Sequence, residues 1–268
     1  MGRGIARKAA EKLMPVSLEL GGKSPTIVFA DADMDIAIAG ILFGIFSSSG
    51  QSCIAGSRLL VERSIYDAFV ARLVDVTKRL VVGHPFEPAT QLAPLIHDDH
   101  RATVERYVGI AVKEGGEILA GGTRPQGGSY DRGIYYQPTV IAGLRNNAQA
   151  CREEIFGPVL VVMPFDHEAQ AVEMANDNEY GLACGIWTRD AVRALRVGRA
   201  VTSGTVWINT YKQFSISTPF GGAKHSGLGR EKGADGIRAY MQQKSYYFDL
   251  SARPHAWVGA ALALPTRN

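Results

Sequence analysis

No hydrophobic run in the sequence is long enough to cross a bilayer: the longest, residues 36–46, falls well short of the roughly 18 residues a membrane span requires. No membrane partner is therefore expected. The basic start over residues 1–15 lacks the apolar core of a signal peptide, and Ala6 stands where N-myristoylation needs Ser or Thr. A cytoplasmic protein is the default expectation. Cysteine is scarce, and Cys53, Cys151 and Cys184 form no CxxC pair, which argues against a disulfide framework or zinc site and fits a reducing compartment. The histidines make no HExxH or other metal-ligand spacing, with His97 and His100 expected as a solvated loop pair, so no metal is predicted.

Charge of one sign is also lacking. Lys plus Arg number 29 against 26 Asp plus Glu, a net +3 without strong clustering, too little for a phosphate-tracking surface, and no nucleic acid is expected. Phosphate cradles are missing as well. Gly22-Lys23-Ser24 imitates the end of a P-loop, but Ser17 occupies the position of its first Gly, and Gly227-Leu228-Gly229 is followed by a Gly one residue too late for GxGxxG.

What is present is an ordinary globular composition. The chain has 268 residues, 46% hydrophobic and 21% charged, enough for one large or two ordinary domains with a substantial core. Strand-like runs at 16–20, 26–29, 57–61, 117–120, 135–141, 159–164, 182–187 and 204–208 alternate with helical periodicity at 3–14, 35–46, 66–80, 100–113, 168–176 and 191–199. That order predicts an α/β fold, a mostly parallel sheet with helices on both faces. The stretch 209–230 is too long and too rich in Gly, Ser and Pro for a simple turn and reads as a loop lining a site. A last strand is expected at 245–250, followed by a mobile tail.

Two residues suggest chemistry. Cys53 lies in Gly50-Gln51-Ser52-Cys53-Ile54-Ala55-Gly56, where flanking glycines let a small electrophile approach a thiol on a tight loop. An isolated cysteine is more often buried filler. Glu19 closes a strand before Leu20-Gly21-Gly22-Lys23; a carboxylate held there in an apolar setting gains the raised pKa that suits activation of water, or is a surface acid in a turn. Glu153-Glu154-Ile155-Phe156-Gly157-Pro158 sets carboxylates and a ring before a strand, suited to gripping ribose hydroxyls or simply to anchoring a loop on a buried Phe.

Together these runs, with Leu18-Glu19-Leu20-Gly21-Gly22-Lys23-Ser24-Pro25, Trp207-Ile208-Asn209 and Pro219-Phe220-Gly221-Gly222, resemble the second half of an NAD(P)-dependent aldehyde dehydrogenase over about residues 2–250. The resemblance implies that Cys53 adds to a small-molecule aldehyde and Glu19 activates the water that hydrolyses the thioester. It also implies that Glu154 binds the nicotinamide ribose of NAD or NADP, that Phe156 packs near the ring, and that Gly21 lets the backbone pass close. Ser52, Ile54, Phe214 and Phe220 are then expected near the aldehyde tunnel, and Asn209 as support behind the site. Residues 1–20 are expected as a helix-and-strand remnant of a cofactor-binding domain, 21–240 as the catalytic domain, 241–251 as an oligomerisation strand and 252–268 as a tail. Because family members are about twice this long, most of the cofactor-binding domain, its phosphate cradle and a side-chain oxyanion donor are expected to be absent. A homo-oligomer, dimer or tetramer, is expected. Two other readings stay open: a non-enzymatic subunit acting through oligomerisation, and a cysteine esterase that needs no NAD.

Overall fold

Strands rich in Val, Ile and Leu build a seven-stranded sheet in the computed structural model, which describes residues 1–250 and residues 253, 255, 257, 258 and 261. Across the sheet the order is β4 (Glu117–Ala120), β5 (Thr139–Ala142), β6 (Val159–Phe165), β3 (Arg58–Glu62), β2 (Pro25–Val28), β8 (Ala183–Trp187) and β9 (Thr205–Ile208). Every pairing is parallel except that of β4 with β5. The central strands read as unbroken apolar runs because helices cover both faces. On one face α2 (Met34–Phe46) and α3 (Tyr66–Lys78) bury Ile41, Ile45, Phe69 and Leu73 against Leu59, Val61 and Val162. On the other, α4 (Asp98–Lys113), α6 (Glu168–Asn176) and α7 (Ala191–Ala200) close over Ile27, Leu60 and Val161. Each such side chain, removed from water, contributes roughly 1.5–3 kcal/mol.

Local chemistry sets the helix starts. Asp33 accepts the Ile36 N–H at the start of α2, and Asp190 accepts from Val192 and Arg193 at the start of α7. His97, expected as solvated, instead caps α4: its Nδ1 accepts the His100 N–H at 3.1 Å. Buried Arg58 fastens the sheet to its surroundings, donating to the carbonyls of Lys23, Met174 and Ala175 and to Asn146 Oδ1 at 2.8–3.0 Å.

Three expected strands come out differently. The strand over 135–141 begins only at Thr139, because Pro138 has no N–H for a ladder and Tyr135 and Tyr136 bury their rings from the loop. The strand over 16–20 contracts to β1 (Leu18–Glu19), which pairs antiparallel with β11 (Gly227–Leu228). Residues 245–250 carry no strand and are exposed; a strand needs an edge to pair with, and among the described residues the chain gives them none. The tail expected over 252–268 lies mostly outside the described residues. The stretch 209–230 is pinned at its far end by β11 and by β10 (Ala223–Lys224), which pairs with β7 (Tyr180–Gly181). No described helix is long and apolar enough to cross a membrane.

Candidate active site

The end of α2 runs into a tight turn in which Ser48, Ser49 and Gly50 all have left-handed φ (56°, 54° and 71°). This turn lifts the following loop, with Ser52 and Cys53, off the helix and leaves the Cys53 side chain half-buried. Ile54 goes the other way. At 4% exposure it packs with Leu182, Trp207 and Tyr211 beneath the thiol, so its side chain braces the loop, and its carbonyl accepts the Tyr211 hydroxyl at 2.9 Å. Burial raises the Cys53 pKa, and the charges of Glu154 and Glu19 raise it further, while the N–H groups of Cys53 and Ile54 oppose them. The net effect favours the protonated thiol.

Gly21 and Gly22 hold the site together by close approach. A Cβ on Gly21 would lie 1.9 Å from Glu154 Oε2, and one on Gly22 2.7 Å from the Cys53 carbonyl oxygen, so neither position admits a side chain as the structure stands. The Gly22 N–H donates to Glu154 Oε1 at 3.0 Å. Burial raises the Glu154 pKa, partly offset by this bond and by Lys23, a fully buried ammonium whose own pKa is pushed down to about 8 by burial. Glu153 faces elsewhere, accepting from Tyr107 and Gln149 at 2.6 and 3.1 Å. Phe156 sits beside Glu154 with φ 58° and 39% exposure, its carbonyl held by His100 Nε2 at 2.7 Å. Sequence reasoning missed this role of His100, since nothing local links it to a loop so far along the chain.

Glu19 reaches the same region from β1. Both carboxylate oxygens are buried without a hydrogen-bond partner, which is costly for a charged group. Its pKa is accordingly raised to about 7, first by burial and then by the Glu231 charge, with Arg230 opposing. A buried, unpartnered carboxyl that titrates near neutrality is suited to proton transfer.

An aromatic wall completes the surroundings. Trp207, Phe214 and Phe220 meet edge to face, at 5.6 Å between ring centroids for both Trp207–Phe214 and Phe214–Phe220, and the Trp207 Nε1–H donates to the Gln213 carbonyl. Cys53 and Phe220 both pack on the cluster that holds Trp207. Asn209 sits behind, with φ 53°, and clamps the Thr188 backbone, its Oδ1 accepting that residue's N–H and its Nδ2 donating to that residue's carbonyl.

A thiol on a tight loop, a neutral-range carboxyl and a second carboxyl held by backbone, all beside one parallel sheet, define a cysteine-centred α/β site. Residues 1–246 match the aldehyde dehydrogenase family, and the chain belongs to it. It is 43% identical over 259 residues to a betaine aldehyde dehydrogenase of Bacillus subtilis (strain 168), covering 97% of this chain and 53% of that protein. A betaine aldehyde dehydrogenase of Mesorhizobium japonicum is likewise 43% identical, covering 92% of this chain and 51% of its own length. Among solved structures, the NAD+ complex of an aldehyde dehydrogenase from Bacillus cereus superposes with a TM-score of 0.89 at 39% identity, over 93% of this chain and 50% of that one. The NAD+ complex of a Staphylococcus aureus betaine aldehyde dehydrogenase gives 0.87 at 40% identity, over 89% and 47%. The chain thus spans about half the length of these relatives.

Proposed function

We propose that the chain carries the reaction centre for oxidation of an aldehyde to a carboxylic acid with NAD or NADP, Cys53 being the nucleophile and Glu19 the base. The observation that carries this reading is the pairing of a half-buried thiol with a carboxyl whose pKa is raised to about 7. Glu19 takes the thiol proton through water, and the sulfur adds to the carbonyl carbon while the Cys53 backbone N–H steadies the developing oxyanion. NAD(P)+, held at its nicotinamide ribose by Glu154, would supply the hydride acceptor for oxidation of this adduct to the thioester level. Glu19 releases the first proton to solvent and then takes a proton from water, whose oxygen attacks the thioester carbon; the carbon–sulfur bond breaks, the proton passes to the Cys53 sulfur, and the carboxylic acid leaves.

The residues present fit the nicotinamide-ribose end of the cofactor. Glu154 is braced by the Gly22 N–H, and Gly21, having no Cβ, lets the Glu154 carboxylate lie close against the backbone. Phe156, partly exposed, offers a flat face for the ring. We further propose association with a second copy through residues 241–250, where Tyr246, Tyr247, Phe248 and Leu250 are 74–95% exposed.

The test is aldehyde-dependent NAD(P)H formation with both cofactors, Cys53→Ala in parallel. Turnover in the parent and none in the variant is expected. Cys53-dependent turnover of an activated ester without any cofactor-dependent oxidation would favour the esterase reading instead.

A further inference from the structure

Two ammonium groups stand near the site, that of Lys212 where α2 gives way to the nucleophile loop and that of Lys232 over the aromatic wall. Lys212 directly follows Tyr211, whose hydroxyl is fastened to the Ile54 carbonyl, so its backbone is locked to the nucleophile loop. It adopts a left-handed φ of 56°, uncommon for a lysine. Its half-buried Nζ donates to the Ser47 hydroxyl at 2.8 Å, at the point where α2 gives way to that loop, and lies 5.9 Å from the Phe43 ring centroid. Burial lowers the Lys212 pKa, and the Cys53 sulfur counters that. Lys232 stands over the aromatic wall, its Nζ 4.2 Å from the Phe214 centroid and 5.4 Å from that of Phe220.

Among the described residues neither lysine forms an ion pair. The carboxyls nearest the thiol pair with neither lysine: Glu154 accepts from the Gly22 N–H, and Glu19 has no hydrogen-bond partner. A half-buried ammonium whose partners are a neutral hydroxyl and a ring is under-compensated. With Lys212 at the nucleophile loop and Lys232 over the aromatic wall, the counter-charge is left to the ligand.

We infer that Lys212 and Lys232 select an aldehyde carrying a carboxylate at the end away from its carbonyl, Lys212 acting as the specificity-determining cation. The inference rests on the proposed role of Cys53 as nucleophile. The same two charges disfavour a cationic aldehyde, which sets this chain apart from a site built to hold a quaternary ammonium group.

The experiment compares alkylation of Cys53 by iodoacetate, which carries the carboxylate, and by iodoacetamide, which does not, followed by peptide mass spectrometry on the full chain. In the parent chain the ratio of the two rates is expected to exceed that of a small free thiol, and Lys212→Met is expected to lower it about fivefold or more. Lys212→Arg is expected to restore it, and the iodoacetamide rate should stay within about twofold. Salt gives a second reading that needs no variant: raising ionic strength from about 0.02 to about 0.5 M should slow iodoacetate selectively. An unchanged ratio in Lys212→Met, or a salt-independent ratio in the parent, overturns the inference while leaving Cys53 as nucleophile intact. A parent Cys53 inert to both reagents overturns the nucleophile itself, and the inference with it.

Discussion

Glu19→Gln is the sharpest perturbation of the site, because it removes one proton-accepting group and keeps its shape. The Glu19 pKa is raised from 4.5 to about 7, so about half of it is ionised at pH 7 and about 1% at pH 5. If ionised Glu19 activates the water, hydrolysis of an acylated Cys53 slows about 50-fold between pH 7 and pH 5. A carboxyl at 4.5 would still be about three-quarters ionised at pH 5, and the rate would fall by only about a quarter. The assay is single-turnover: acylate Cys53 with p-nitrophenyl acetate, remove excess ester, and follow loss of the acyl group by intact mass across pH 5–9. Glu19→Gln should slow this step about 10²- to 10⁴-fold and flatten its pH dependence. A flat parent profile from pH 5 to 7, or a variant within about threefold of the parent, refutes the assignment. Stability carries the opposite sign. Because the folded pKa is the higher one, the unfolded chain loses its proton first, and folding stability at this residue is lost as pH rises from 4.5 through about 7. Glu19→Gln should remove that slope in urea titrations.

Cys151 and Cys184 are fully buried whereas Cys53 is not, so N-ethylmaleimide should modify one thiol of the native chain, and Cys53→Ser should abolish the label; native-state labelling of either other cysteine contradicts the burial. Gly21→Ala puts a methyl 1.9 Å from Glu154 Oε2, and the forced shift should cost about 1–3 kcal/mol in urea unfolding, an unchanged midpoint being the contrary result. Arg58→Leu strands the carbonyls of Lys23, Met174 and Ala175 in the core and is expected to cost about 3–5 kcal/mol by the same measurement.

Much of the sheet was legible because burial on both faces writes it as apolar runs: Val159-Leu160-Val161-Val162 has one sensible place in an α/β chain. At Cys53 the bracketing glycines marked a tight loop, which the left-handed turn over Ser48, Ser49 and Gly50 matches, whereas its reading as nucleophile rests on the resemblance. What separates Glu154 from Glu153 was not, since adjacent carboxyls look alike until Gly22 claims one and Tyr107 the other. Lys212 and Lys232 escaped notice for a similar reason: a lysine in a loop is normally a solvated charge, and only the packing of Tyr211 on Ile54 and of Phe214 on Phe220 reveals what surrounds them. Residues 245–250 carry a strand-like pattern, yet among the described residues they pair with no edge and form no strand.

The pairing of β1 with β11 also orders events in time. Glu19 lies opposite Gly227, so the carboxyl proposed as base is placed only when segments about 200 residues apart meet, whereas Cys53 rests on a loop joined to neighbouring elements α2 and β3. Closing so long a span is slow compared with local structure formation. The thiol should therefore reach its half-buried setting early in refolding, and release of an acyl group from it should reach its native rate only late, which makes that release a clock for completion of the fold.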